Sequence, residues 1–162
     1  PTSDRLRETI FNILTPRMAG ARVLDAYAGT GAIGIEALSR GAASVTFVEQ
    51  DRRAQALIAE NLAHCGIADG YAIIQTSALR AFEGLLAHGA MFDLILLDPP
   101  YADNDTQITA ILTQSAALLA PGGLVVLEHA RRRQLPPPAG PLLQTRIVAS
   151  GDSALAFYAC QP

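Results

Sequence analysis

Short apolar runs alternate with helix-patterned segments along most of the chain, and this alternation restricts the fold more than any other feature. Residues 22–28 (RVLDAYA), 44–50 (SVTFVEQ), 72–77 (AIIQTS), 92–98 (FDLILLD) and 124–129 (LVVLEH) read as five strands. Helical periods fill the gaps at 32–40, 51–65, 78–88 and 106–119, with Asp51 as an N-cap and Gly41, Gly66 and Pro121-Gly122-Gly123 as stops. Strands that are apolar throughout and separated by helices belong in a parallel sheet covered on both faces. Right-handed crossovers then give a doubly wound α/β fold with a mostly parallel sheet.

Both ends depart from that rhythm. An amphipathic helix is expected at 4–14, carrying Leu6, Ile10, Ile13 and Leu14 on one face and capped by Ser3 or Thr2. After the proline-rich loop 135–141, segments 142–150 and 154–160 flank the turn Ser150-Gly151-Asp152-Ser153 and read as a C-terminal antiparallel hairpin. The 162 residues fit one domain, 1–162, with 1–20 as its opening segment.

Composition removes several classes of function. Cys65 and Cys160 are far apart, and His64, His88 and His129 are scattered, so no metal site is expected. No apolar run reaches the ~18 residues of a membrane span, and a reduced, cytoplasmic monomer is the expectation. The chain opens on Pro1 rather than Met, as a piece of a longer protein would. Net charge is −3, which argues mildly against nucleic-acid binding by the bulk surface. Two basic clusters stand out locally, Arg5 with Arg7 and Arg131-Arg132-Arg133.

Three motifs carry chemistry. Gly29, Gly31 and Gly34 follow the first strand as G-x-G-x-x-G, a spacing that lets backbone turn tightly against a ligand and that also fits dinucleotide enzymes. Glu49 lies at the tip of the second strand, where an acid accepts hydrogen bonds from ribose hydroxyls. Asp98-Pro99-Pro100-Tyr101 ends the fourth strand, which should lie beside the first at the switch point of the sheet. Two prolines fix φ and remove two donors, leaving rigid acceptors beside the Asp98 carboxylate. Acceptors complement an amino group, and Tyr101 offers a flat face on which a base stacks.

The glycine loop with D-P-P-Y resembles class I amino-methyltransferases. Pro1-Thr2-Ser3-Asp4-Arg5-Leu6-Arg7-Glu8 with Phe11-Asn12, and Asp25 through Leu38 (DAYAGTGAIGIEAL), resemble the RsmD family over the whole chain. That family contains 16S ribosomal RNA guanine-N2 methyltransferases. The resemblance implies S-adenosylmethionine as cofactor, S-adenosylhomocysteine as product and no metal. Its partner would be 16S ribosomal RNA within a small-subunit particle. It further implies that Asp25, Ala28, Gly29, Thr30 and Gly31 line the cofactor. Glu49 would hold its ribose, Gln50 would also bind the cofactor, and Ser77 and Ala78 would lie by its adenine. Many members have Asp or Asn where this chain has Ser77. Asp98 to Tyr101 would form the catalytic site, with Thr2, Arg5 and Arg7 near it. Arg131 and Arg132 are candidate phosphate contacts, with a solvated loop as the plainer reading. Members begin with a basic hairpin ahead of the Pro-Thr signature, where this sequence starts.

In the expected reaction, Asp98 and the Pro99 carbonyl accept the two amino hydrogens and aim the nitrogen lone pair at the methyl group. Rival readings are a DNA or RNA adenine-N6 or cytosine-N4 methyltransferase, a small NAD-dependent oxidoreductase and a non-catalytic nucleotide-binding domain. The oxidoreductase has no use for D-P-P-Y and lacks a lysine for a hydride relay, since all twelve basic residues are arginine.

Overall fold

A computed structural model describes residues 3–138 and 140–161; Thr2, expected near the site, lies outside them. The chain opens with helix α1 (Asp4–Met18), capped by the Ser3 hydroxyl, which accepts from the Leu6 amide. This helix runs a full turn past the expected end and carries Pro16 inside it, because buried Met18 continues the apolar stripe of Leu6, Ile10, Phe11 and Leu14. Then follow β1 (Arg22–Asp25), α2 (Ala32–Ser39), β2 (Ser44–Val48), α3 (Arg52–His64), β3 (Tyr71–Ile74), α4 (Ala78–Ala87) and β4 (Phe92–Leu97). Asp51 caps α3 as expected, accepting from the Arg53 and Ala54 amides.

Helix α5 (Asp105–Leu118) starts at a capping box, in which Asn104 and Gln107 satisfy each other's backbone amides. Strand β5 (Leu119–Ala130) departs from the expectation of a helix stop followed by a separate strand. It begins before Pro121-Gly122-Gly123 and absorbs them: Leu119 pairs with Phe92, the register shifts, and Leu124 pairs with Leu94. Gly122 makes the irregularity possible with φ of 77°. The expected hairpin forms as β6 (Leu142–Ser150) and β7 (Ser153–Cys160).

The seven strands lie in the order β3-β2-β1-β4-β5-β7-β6. Strands β1 to β5 are mutually parallel, and β7 runs antiparallel to β5 and to β6. The chain steps outward from β1 in opposite directions, so β1 and β4 flank the switch point, where a crevice opens at the carboxyl ends of strands. One apolar layer packs α1, α2 and α3 on the sheet through Phe11, Leu14, Ile35, Ile58 and Leu62. The other packs α4 and α5 through Phe82, Ile108, Ile111 and Leu112. Each such side chain contributes about 1.5–3 kcal/mol on burial. Strand alternation sends Val23, Leu94, Leu96 and Val126 into the first layer and Leu24, Ile95, Val125 and Leu127 into the second.

Candidate active site

The crevice is built first from the turn after β1. Ala26 N–H donates to the Leu96 carbonyl at 3.1 Å and Ala28 N–H to the Val48 carbonyl at 2.9 Å, so the turn is tied to both neighbouring strands. Gly29 and Gly31 take φ of 58° and 86°, the left-handed region that only glycine enters without cost. A Cβ on Gly29 would meet nothing within 4 Å, so the backbone there borders open space. Gly34 serves packing instead: its Cβ would fall 2.3 Å from the Phe47 ring, which holds α2 close against β2.

Two carboxylates bind this turn from beneath and beside. Asp25 is buried, and its Oδ2 accepts from the Gly34 amide at 3.2 Å. Burial pushes its carboxyl up to about 7; the Gly34 hydrogen bond opposes the shift, and the negative charges of Asp98 and Glu49 add to it. Glu49 accepts from the Gly29 amide through Oε1 and from the Asp51 amide through Oε2, both at 2.8 Å. Each oxygen keeps a lone pair, and its position is fixed from two sides, which suits it to receive two ribose hydroxyls.

Asp98 follows β4 directly. The Pro100 carbonyl accepts from the Asp103 amide at 3.0 Å and closes a turn in which the Pro99 carbonyl takes no part. One cavity of about 340 Å³ runs from Glu49, Gln50, Thr76 and Ala78 to the Asp98–Tyr101 segment. A second, of about 430 Å³, is lined by Arg7 and Ile10 of α1, by Asp25, and by Ala28 and Thr30 of the turn. Tyr27, Gly29, Asp98 and Glu128 border both, so the Asp98 carboxylate stands where the two meet. It reaches solvent at the mouth but is surrounded by protein, and that partial burial raises its carboxyl above the usual range. Tyr101 is 80 % exposed, which leaves a ring face bare for stacking. It also edges a third groove with Ala130, Arg131, Arg132 and Asp152.

The structure gathers most of the expected residues here and separates a few. Ser77 lines neither main cavity: its hydroxyl caps α4, accepting from the Arg80 amide, and Thr76 and Ala78 face the cavity in its place. Gly31 lines neither either; it shapes the turn as the N-cap of α2. Arg7 reaches the second cavity while paired with Asp4 at 2.9 Å and Glu36 at 3.2 Å. Arg5 is exposed and borders none of the three. Sequence reasoning missed Tyr27, Glu128 and His129. Burial holds the Tyr27 hydroxyl protonated and keeps His129 neutral. No group of His, Cys, Asp or Glu among the described residues has metal-binding geometry.

The chain is similar to known proteins over nearly its whole length. "Ribosomal RNA small subunit methyltransferase D" of Escherichia coli K12 is 36% identical over 159 residues, 98% of this chain and 78% of that one. A solved conserved hypothetical protein of Streptococcus pyogenes superposes with a TM-score of 0.82 at 34% identity, covering 96% of this chain and 95% of its own. SMU.776, solved in complex with SAH, shares the fold with a TM-score of 0.75 at 15% identity, over 94% of this chain and 48% of its own. With the family model described as Conserved hypothetical protein 95 matching residues 1–159, the chain belongs to that family, the RsmD family that its motifs resemble.

Proposed function

We propose that this chain transfers a methyl group from S-adenosylmethionine to the exocyclic N2 of a guanine in 16S ribosomal RNA. One observation carries the reading: the Asp98 carboxylate stands open at the junction of two cavities, beside the Gly29 turn that Glu49 braces. The relatives named for ribosomal RNA methylation support the substrate class. The reading extends to a monomer acting in the cytoplasm on a small-subunit particle. Among the described residues no helix is long and apolar enough to cross a membrane.

The residues present fit the cofactor. Glycine backbone borders open space at Gly29, the Glu49 oxygens are preset for a ribose, and Ala78 with Thr76 gives a small, mixed wall for an adenine. Ala28 and Thr30 extend the contact toward Asp25, whose carboxylate suits the cationic methionine end. When bound, S-adenosylmethionine supplies a methyl group already activated by a positive sulfur. The chain's own task is alignment, which can be worth roughly 7–11 kcal/mol. Asp98 and the Pro99 carbonyl accept the two amino hydrogens, direct the nitrogen lone pair inward and stabilise the positive charge that develops there. After transfer one of those protons leaves to Asp98 or to water. Tyr101 stacks on the base once it has swung out of its helix or loop, at a cost of a few kcal/mol. Arg131 and Arg132 meet the RNA backbone around it, and Arg7 borders the cavity at the methionine end of the cofactor.

The test is Asp98→Ala. S-adenosylhomocysteine binding, measured by calorimetry, should persist, while methylation of small subunits lacking the modification falls by about 10²–10³-fold. Undiminished turnover removes Asp98 from the mechanism. Mapping the methyl group to an adenine N6 or cytosine N4 replaces the guanine assignment with another amino-methyltransferase.

A further inference from the structure

Asp98 has a neighbour of the same chemistry that the mechanism leaves unused. Strands β4 and β5 run side by side with Leu97 level with Leu127, so Asp98, just past the end of β4, and Glu128, still within β5, follow that pair at the same height. Neighbouring strands lie about 4.8 Å apart. Val126 projects into the α1–α3 layer, and two residues on, alternation within β5 sends Glu128 to that same face, where Asp98 also lines the second cavity. Both border both cavities, and Glu128 is half-buried. The site therefore presents two carboxylates in a row, one strand apart, where one suffices to grip an amino group.

The amino groups of the nucleobases differ in what stands next to them. Beside N2 of guanine is N1–H, a donor. Beside N6 of adenine is N1, and beside N4 of cytosine is N3, both acceptors. A row of two carboxylates complements adjacent donors and sets a negative charge against a lone pair in the other two bases. We propose that Glu128 is the specificity residue of the site, accepting N1–H of guanine while Asp98 and the Pro99 carbonyl hold the amino hydrogens. The inference rests on the guanine-N2 reading above. Accepting N1–H also pushes electron density from the ring onto N2, whose lone pair is otherwise drawn into the ring. Thus the contact that selects guanine makes its amino nitrogen a better nucleophile.

The probe is 2-aminopurine riboside, which keeps the 2-amino group but has a lone pair at N1. Reconstituted small subunits carrying guanosine or 2-aminopurine at the target position are methylated by the wild-type chain and by Glu128→Gln, whose amide can donate to N1. Wild type should favour guanosine in kcat/KM by about 10²-fold or more. In Glu128→Gln that preference should shrink at least about tenfold, with S-adenosylhomocysteine affinity unchanged by calorimetry. Intrinsic reactivity of the two bases cancels when the two preferences are divided. Should Glu128→Gln bind S-adenosylhomocysteine poorly, Glu128→Asp, which keeps the charge, must retain the guanosine preference at reduced kcat. An unchanged preference in Glu128→Gln, or a wild type indifferent between the bases, overturns the role of Glu128 while methylated guanosine N2 leaves the proposed function standing. A wild type that leaves guanosine N2 unmodified overturns both.

Discussion

Asp25 is held in a state that costs the fold. An ordinary Asp titrates near 3.8, and burial raises this one to about 7. Between those values the folded chain keeps a proton that the unfolded chain releases, so stability falls as pH rises through that window. The whole effect is on the order of 4 kcal/mol, complete above the folded pKa. Asp25→Asn should flatten this dependence and raise the urea midpoint at pH 8 relative to wild type. Because a cationic ligand end favours ionised Asp25, S-adenosylhomocysteine affinity should climb through pH 7 in wild type but not in the variant. Calorimetry at pH 6 and 8 reads this, and parallel affinity profiles would detach Asp25 from the cofactor. The place of Asp25, Glu49 and Asp98 at the crevice was legible in the sequence because each stands at the carboxyl end of an apolar strand. Glu128 lies inside such a strand, two residues before its end, and its place level with Asp98 depends on the register of β5 against β4, which no local pattern encodes. Ser77 lines neither main cavity because a hydroxyl one residue ahead of a helix has a competing job, the cap of α4.

At the scale of elements, the two glycines of the turn solve different problems, and substituting each separates them. Gly29→Ala forces a side chain into φ of 58°, at about 1–2 kcal/mol, and puts a methyl group into the open space at the cavity. Gly34→Ala drives a methyl group to 2.3 Å from the Phe47 ring. That overpacks α2 against β2 and should cost about 1–3 kcal/mol of stability. Thermal unfolding and calorimetry together should show Gly34→Ala losing the larger share of stability. Gly29→Ala should lose the larger share of S-adenosylhomocysteine affinity, about tenfold or roughly 1.4 kcal/mol. The reverse ordering would contradict the division of labour. Periodicity found the five helices and seven strands of the described residues, yet it overran the tips of β1 to β4, because residues such as Ala26 stay buried and apolar after the ladder ends. It also broke β5 at Pro121-Gly122-Gly123, where a strand passes through an irregularity that glycine conformation permits.

Over the whole molecule the difficulty is charge. The chain carries a net −3, and its site is ringed by Asp25, Glu49, Asp98 and Glu128, yet the proposed substrate is a polyanion. Those carboxylates suit a cationic cofactor and the donors of a base, while phosphate must be met elsewhere. Arg7, Arg22, Arg40 and Arg133 are paired with carboxylates. Arg131 and Arg132 make no such pair among the described residues, and they line the groove that continues from Tyr101. Asp152 borders the same groove and tempers its potential, so the two arginines act at close range rather than by steering from afar. Replacing both with Ala should weaken subunit binding evenly across target-site sequences. It should also reduce the slope of log K against log salt by about 1.4–1.8, the share of two phosphate contacts. Cofactor affinity should not move, because neither residue borders the cavities around Gly29. A salt slope equal to that of wild type would place the phosphates on another face, and the groove beside Tyr101 would then be solvated surface.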